Sequence, residues 1–288
     1  MDKIEYIDEN IYDVHRSFQL LQLENIFNPN LYSPINLLKK RMELIRKFNR
    51  FELKYLLTIK QANELKEQVK HYLIPDPYSW ASGDYVITSL YYDSPDLQCY
   101  WEKVNGIKFR KKLRIRFYET KEKLTEDSLI FVEVKQRYDK TIQKRRVEMK
   151  YKDSLTLCNE RIIPEHNEED TPVIEEILAM VEERNLQPTL ITSYFRHAFV
   201  GTDYDIGLRI TFDSNIRYRI NDLDLNSKKP GRFIVSPDRV ILEIKANERV
   251  PFWLTELIAQ NNYRLVRISK YCTGLEVEKE FPRRIEAY

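Results

Sequence analysis

From Phe48 onward the chain repeatedly alternates charged and apolar residues with a period of two, and few folds tolerate that pattern. Successive side chains of a β-strand point to opposite faces, so strict alternation marks a strand with one polar and one apolar side. Arg50, Glu52 and Lys54 share one face while Phe51, Leu53 and Tyr55 share the other. Lys108 to Tyr118 repeats the pattern, with Lys112, Arg114 and Arg116 against Leu113, Ile115 and Phe117. Ile130 to Gln136 sets Phe131, Glu133 and Lys135 against Ile130, Val132 and Val134; Thr141 to Lys150 follows after a short polar turn with Lys144, Arg146 and Glu148 on one face. The last two read as a hairpin. Further strands are expected at 189–200, 208–213, 216–220 and 240–245, with an aromatic and β-branched one from Tyr85 to Asp93 that ends in a turn at Asp93, Ser94 and Pro95.

Helices are expected between the strands. Thr58 followed by Gln61 is a capping-box signal, opening a helix that carries Leu65, Val69 and Tyr72. A helical, acidic segment spans 154–185, with Pro172 near a helix start and Ile174, Ile177, Leu178 and Val181 at helical spacing. Another helix is expected from Pro251 to Gln260. Residues 1–47 form a polar and aromatic leader with a basic amphipathic stretch, read as an appendage that includes a helix. Residues 48–288 then make one α+β domain of about eight or more antiparallel strands.

Alternating charge ordinarily means a sheet with one face in water. Here the polar faces carry few Ser, Thr, Asn or Gln; they carry Arg and Lys beside isolated carboxylates, as in Glu52 and Lys54, Glu133 and Lys135, Arg209 and Asp213, Glu243 and Lys245. Three of these pairs share the ExK spacing on different strands. If the charged faces line a closed antiparallel β-barrel, a tunnel with flanking helices covering its apolar outside, the core is inverted. Like charges crowded in such a tunnel repel by several kcal/mol unless an anion sits among them, which suits a receptor for many phosphates. Arginine suits it because its planar fork grips phosphate oxygens in pairs. Carboxylates in the tunnel are accounted for by a divalent cation that bridges the phosphates.

Composition removes other classes. There is no GxxxxGK[ST] or GxGxxG, and nineteen tyrosines stand against six glycines. The formal charge is only +2, so no global positive field draws in nucleic acid, and binding of nucleic acid is not expected. Cys99, Cys158 and Cys272 are far apart and lack CxxC spacing, which fits buried small hydrophobes in a reducing compartment. No apolar run reaches the ~18 residues of a membrane span, and no secretory signal core follows Met1. The chain therefore reads as soluble and cytoplasmic. His15, His71, His166 and His197 lie in no convincing motif, and Tyr100, Trp101 and Trp253 read as core or lid packing.

The same residues resemble a known family. Arg50-Phe51-Glu52-Leu53-Lys54-Tyr55 is similar to the opening RxExKY strand of the VTC (vacuolar transporter chaperone) domain, in the CYTH or triphosphate tunnel metalloenzyme superfamily. The resemblance continues through Tyr91-Tyr92-Asp93-Ser94, Arg114-Ile115-Arg116, Glu133-Val134-Lys135, Lys144-Arg145-Arg146 and Tyr194-Phe195-Arg196. It ends with Arg209-Ile210-Thr211-Phe212-Asp213, Glu243-Ile244-Lys245 and Ser269-Lys270-Tyr271. The resemblance implies a tunnel that binds triphosphate or polyphosphate with Mg2+ or Mn2+. It implies phosphate contacts from Lys54, Arg114, Arg116, Lys135, Arg196, Arg209 and Lys245, with Lys144, Arg146 and Lys270 in the same basic set. Glu243 matches the family's metal-binding carboxylate; Glu52 and Glu133 could assist it or hold neighbouring lysines. The implied activity is inorganic polyphosphate polymerase, transferring the γ-phosphoryl of ATP to a growing chain, with Lys54, Arg114, Arg116, Arg209 and Lys245 as the catalytic set.

Two alternatives stay open: a metal-dependent triphosphatase or nucleotide phosphohydrolase, in which water attacks, and a silent polyphosphate-binding module. The leader does not resemble the SPX domain of fungal relatives, and no membrane segment follows. The resemblance therefore carries over neither regulation by inositol phosphates nor direct coupling of synthesis to translocation. A separate membrane partner, holding the chain at the inner membrane face, could supply the latter.

Overall fold

The structure, a computed structural model, describes residues 50–76, 84–119, 123–139, 141–247, 249–281 and 286–287. The leader expected over 1–47, its helix and His15 lie outside the described residues. In chain order the strands and helices are β1 (Arg50–Thr58), α1 (Ile59–Val69), β2 (Ile74–Pro75), β3 (Asp84–Asp93), α2 (Gln98–Val104), β4 (Phe109–Glu119), β5 (Leu129–Tyr138) and β6 (Thr141–Lys150). They continue with α3 (Tyr151–Leu155), α4 (Thr171–Glu183), β7 (Gln187–Val200), β8 (Arg209–Arg219), β9 (Arg232–Phe233) and β10 (Arg239–Asn247). The last are α5 (Phe252–Gln260), β11 (Val266–Arg267), α6 (Lys270–Glu278) and β12 (Glu286–Ala287). The expected strands at 208–213 and 216–220 are one strand, β8, with an extra residue between Ser214 and Arg217 relative to β7, where Asn215 takes a positive φ of 52° and bulges the strand without ending it. The expected helical segment over 154–185 is broken instead. Past Leu155 the chain makes a single π-turn and runs through Pro164 before α4 starts, with Pro172 in its first turn.

Local chemistry explains several boundaries. The Thr58 hydroxyl accepts from the Gln61 amide while the Gln61 side chain accepts from the Thr58 amide, closing the capping box that starts α1. Asp93, at the end of β3, is fully buried and accepts from the amides of Ser94, Cys99 and Tyr100 at 2.8–3.0 Å, so it pins the start of α2. The Tyr271 hydroxyl donates to the same carboxylate and ties α6 to it.

All eight long strands form one antiparallel α+β sheet in the order β1-β10-β8-β7-β3-β4-β5-β6, with β2 on β7 and β9 on β8. The expected closed barrel is not formed: among the described residues no ladder joins β1 to β6. The free edge of β1 is taken by a bridge from Tyr55 to Leu265, which leaves it less backbone to offer β6. The sheet nonetheless wraps round. Lys135 of β5 reaches Glu52 of β1 at 3.1 Å although six strand spacings, roughly 29 Å across a flat sheet, separate them in the order.

The apolar faces turn outward. Leu113, Ile115, Ile130, Val132 and Val134 are sealed under Ile174, Ile177 and Val181 of α4. Leu57, Phe199, Ile210, Leu242 and Ile244 are sealed under Leu65 and Val69 of α1 and Leu254 of α5. On the inner face, Tyr271, Cys272 and Leu275 of α6 pack against Ile87, Tyr91, Leu190 and Tyr218, filling one end of the groove. Cys99, Cys158 and Cys272 are buried free thiols, as the sequence implies. Because Ile177 is fully buried between α4 and the sheet, Ile177→Ala should cost roughly 2–5 kcal/mol in urea unfolding, whereas Thr58→Ala, which loses only the cap, should cost about 1 kcal/mol.

Candidate functional site

The inner face of the wrapped sheet carries the charged halves of the alternating strands. Four carboxylates lie among the cations. Glu133, 1% exposed, accepts from Arg114 Nε at 2.7 Å and Lys144 Nζ at 3.0 Å, and Arg116 stands 3.7 Å away. Glu52 bridges Lys54 at 2.7 Å and Lys135 at 3.1 Å. Asp213, fully buried, is gripped by both arms of the Arg196 fork at 2.7 Å and by Lys270 from α6. Glu243 holds Lys245 at 2.8 Å, with Arg196 at 3.9 Å. Apart from Lys270 of α6, each link joins residues that the alternation puts on one face, and most join different strands.

Of the ten basic residues singled out in the sequence, eight therefore meet one of these carboxylates. Arg209 lies apart, bonded to Asp76 and the Tyr85 hydroxyl, and its Nε is buried with no partner among the described residues. Arg146 is exposed and lies over the Phe131 ring at 4.5 Å. Glu52 and Glu133 both hold lysines, and Glu133 holds an arginine as well.

The electrostatics follow from this pairing. Burial alone would raise the carboxyl pKa values, but the adjacent cations outweigh it. Glu133 is held well below the usual range by Arg114, Arg116 and Lys144, and Glu243 by Lys245, Lys54 and Arg196. The cations divide. Burial lowers Lys144 to about 8, because Glu133 compensates only partly, and lowers Lys135 as well. For Lys54 the carboxylates Glu52 and Glu243 overcome burial and raise it. Two tyrosines, Tyr91 of the aromatic strand end and Tyr118, belong to the same field. Burial would raise Tyr91 and Tyr118, but Arg114 and Arg116 bring Tyr91 to about 8, and Arg116 does the same for Tyr118.

Asp213 was visible in the sequence as the partner of Arg209 in an alternating pair. Its structural partners are instead Arg196 and Lys270, which only the β7–β8 register and the seat of α6 bring to it. Tyr91 and Tyr118 could have been found from parity, since each shares its strand face with Ser89 or Arg116. His197 lies on the opposite face from Arg196, 2.7 Å from Asp84; Trp253 stacks on Tyr72 at 4.1 Å, and Tyr100 is buried.

For a divalent cation the donor set is narrow. Among the described residues no group of three or more His, Cys, Asp or Glu side chains could hold a metal ion. Mg2+ and Mn2+ are commonly held by one or two carboxylates with the remaining oxygens from phosphates and water, so a lone hard donor such as Glu243 fits that chemistry. A cavity of about 550 Å³ lies on the outer face among β3, β4, β7, β8 and the 225–231 loop, and none of the ten cations lines it.

The sequence matches the family model described as VTC domain over residues 49–279. No curated protein matches it. Among solved structures, a Bacillus halodurans protein described as a candidate adenylate cyclase is similar, with 13% identity, TM-score 0.47, and 78% of this chain and 96% of that one covered. A Hippeastrum protein described as a candidate adenylyl cyclase with dominant triphosphatase activity shows 11% identity and TM-score 0.45, covering 84% and 100%. The Mimivirus capping enzyme triphosphatase shows 10% identity and TM-score 0.32, covering 82% and 97%. At these values none of them says what this chain does.

The paired carboxylates have a measurable consequence for acid stability. Glu133 and Glu243 have folded pKa values depressed below 4.5, so their contribution is complete above that value and is lost as pH falls through the lower folded values. Glu133→Gln leaves Arg114, Arg116 and Lys144 facing one another in a buried site. It should cost roughly 3–5 kcal/mol at neutral pH and flatten the acid limb of stability against pH, measured by urea unfolding from pH 7 downward.

Proposed function

The chain belongs to the VTC domain family, and on that premise we propose that it is an inorganic polyphosphate polymerase, moving the γ-phosphoryl of ATP to a polyphosphate chain in the charged groove. The observation that carries this reading is the grouping of Lys54, Arg114, Arg116, Lys135, Lys144, Arg196, Lys245 and Lys270 around four carboxylates on one inner face. An anionic phosphate chain can take the place of those carboxylates as the counter-charge, so the cations need little rearrangement to receive it.

In the reaction, the terminal oxygen of the acceptor chain bonds to the γ-phosphorus as the bond from that phosphorus to the β–γ bridging oxygen breaks, and ADP leaves. Catalysis of this step is mostly alignment and charge stabilisation. Arg114 and Arg116 hold the equatorial oxygens, with Lys54, Arg209 and Lys245 fixing the flanking phosphates. Glu243 would hold Mg2+ or Mn2+, whose charge neutralises the phosphate oxygens. Glu133 keeps the Arg114 fork oriented through its hydrogen bonds and attracts Arg116 from 3.7 Å, while the Ser89 hydroxyl accepts from Arg116 Nε. No protein nucleophile is required.

The catalytic domain is read as beginning near residue 48, where the strand pattern starts. Among the described residues no helix is long and apolar enough to cross a membrane.

Incubation of the purified chain with ATP and Mn2+ or Mg2+ should yield long-chain polyphosphate together with ADP. Both should be lost in Glu243→Gln and fall on the order of 100-fold or more in Arg114→Ala. Free phosphate without chains would make the protein a triphosphatase; tight polyphosphate binding without turnover would make it a binding module. A second expectation concerns pH. Above about 8, Lys144 loses its proton and Tyr91 and Tyr118 become phenolates, so three changes of the same sign add negative charge to the groove. Tripolyphosphate affinity should therefore fall as pH rises through 8, and binding near that pH should take up protons, read by calorimetry in buffers of different ionisation enthalpy.

A further inference from the structure

The two ends of the groove differ in chemistry. At one end the inner faces of β4 and β5 carry Arg110 and Arg137, directly opposite each other in register, followed by Lys112 and Lys135, with α6 packed alongside. At the other end three aromatic rings stand on adjacent strands: Tyr85 on β3, Tyr118 on β4 and Phe131 on β5. Tyr85 and Tyr118 have ring centroids 6.1 Å apart, and Tyr118 and Phe131 meet edge to face at 5.8 Å. Two guanidiniums cover this band, Arg146 over Phe131 at 4.5 Å and Arg116 over Tyr118 at 5.9 Å.

Tyr85, at 5% exposure, belongs to the core cluster against which Tyr118 also packs, but core filling does not account for Phe131. The outward-facing Phe199 and Phe212 are sealed at 0% and 1% exposure, whereas Tyr118 and Phe131 remain only half-buried. Beside them Arg209 donates to the Tyr85 hydroxyl and keeps a buried Nε without a partner among the described residues, a donor in want of an acceptor. Arg116 lies directly opposite Phe131, and Arg114 follows one same-face step along β4, about 7 Å on. Flat rings with guanidiniums at one mouth and concentrated positive charge immediately inside it match a molecule with an aromatic head and a polyanionic tail.

We propose that Phe131 and Tyr118 form a nucleobase platform, on which the base of a nucleoside triphosphate stacks while its phosphates run inward to Arg116 and Arg114. This rests on the reading of the groove as a site for the phosphates of ATP and adds where the base sits and from which end the nucleotide enters, the end that carries the rings. Stacking on such a ring is worth roughly 1–3 kcal/mol per base and is tolerant of which base it is, so discrimination among nucleotides is weak. A guanidinium stacked at the same place adds cation–π attraction.

Affinities for ATP and for inorganic tripolyphosphate, measured by calorimetry on the full chain with a chelator present to prevent turnover, test this. Phe131→Leu should lower the ratio of ATP to tripolyphosphate affinity about tenfold, and Phe131→Tyr, which keeps the ring, should preserve it. An unchanged ratio in Phe131→Leu overturns the platform. If the leucine variant loses tripolyphosphate as well, Phe131→Trp decides: the larger ring must raise the ratio, and a ratio that does not rise overturns the proposal. Failure of the unaltered protein to bind tripolyphosphate is a different result, and it overturns the phosphate reading beneath the proposal.

Discussion

Every other feature of the inner face depends on the compensation of buried cations by four carboxylates. Lysine and arginine side chains cannot be gathered out of water on one sheet face without counter-charge, because desolvation and mutual repulsion both oppose it. Glu52, Glu133, Asp213 and Glu243 supply that charge, and each is shared between at least two cations. Sharing matters: each carboxylate orients several donors at once, and a cation can bond to more than its carboxylate. Arg114 illustrates this, because the guanidinium that reaches Glu133 also donates to the Tyr91 hydroxyl at 3.2 Å.

The arrangement of the apolar residues is the other half of the same constraint. With charge inside, the hydrophobic side of each strand faces out, and stability has to come from helices laid over the sheet. The clusters under α4 and under α1 with α5 do this on two separate areas of the outer surface. A third cluster sits on the inner face, where α6 replaces the anionic centre with packed rings and aliphatic side chains at one end. The groove is thus blocked by apolar packing in one region and lined with charge in the rest. Lys270, at the first position of α6, joins these regions by contacting Asp213.

Among the described residues no backbone ladder joins the two edges of the sheet; side chains bridge across it instead. Glu52 and Lys135 join β1 to β5, and Lys54 donates to the Ile268 carbonyl just before α6. An ionic seam of this kind can adjust more readily than a backbone ladder, since side chains re-pair by rotation whereas a ladder must shift register. That property suits a groove whose occupant is a chain of repeating phosphates.

How much of this was legible without the structure depended on whether a feature was local. The period of two assigned each charged residue to a face, and that assignment is right for Arg114, Arg116, Glu133, Lys135, Glu243 and Lys245, because alternation is a property of a single strand. The capping box at Thr58 and Gln61 and the proline in the first turn of α4 were legible for the same reason. Inversion of the core could be inferred from which polar residues were present. The partners could not. Glu52 meets Lys135 across 83 positions, Asp213 meets Lys270 across 57, and Tyr55 caps its own strand edge with Leu265, so that the expected barrel stays open. The sequence alone determined which side chains are charged and which way each strand turns them. Only the tertiary structure decided which opposite charges touch, because strand order and sheet curvature are set by contacts between distant segments that no local period encodes.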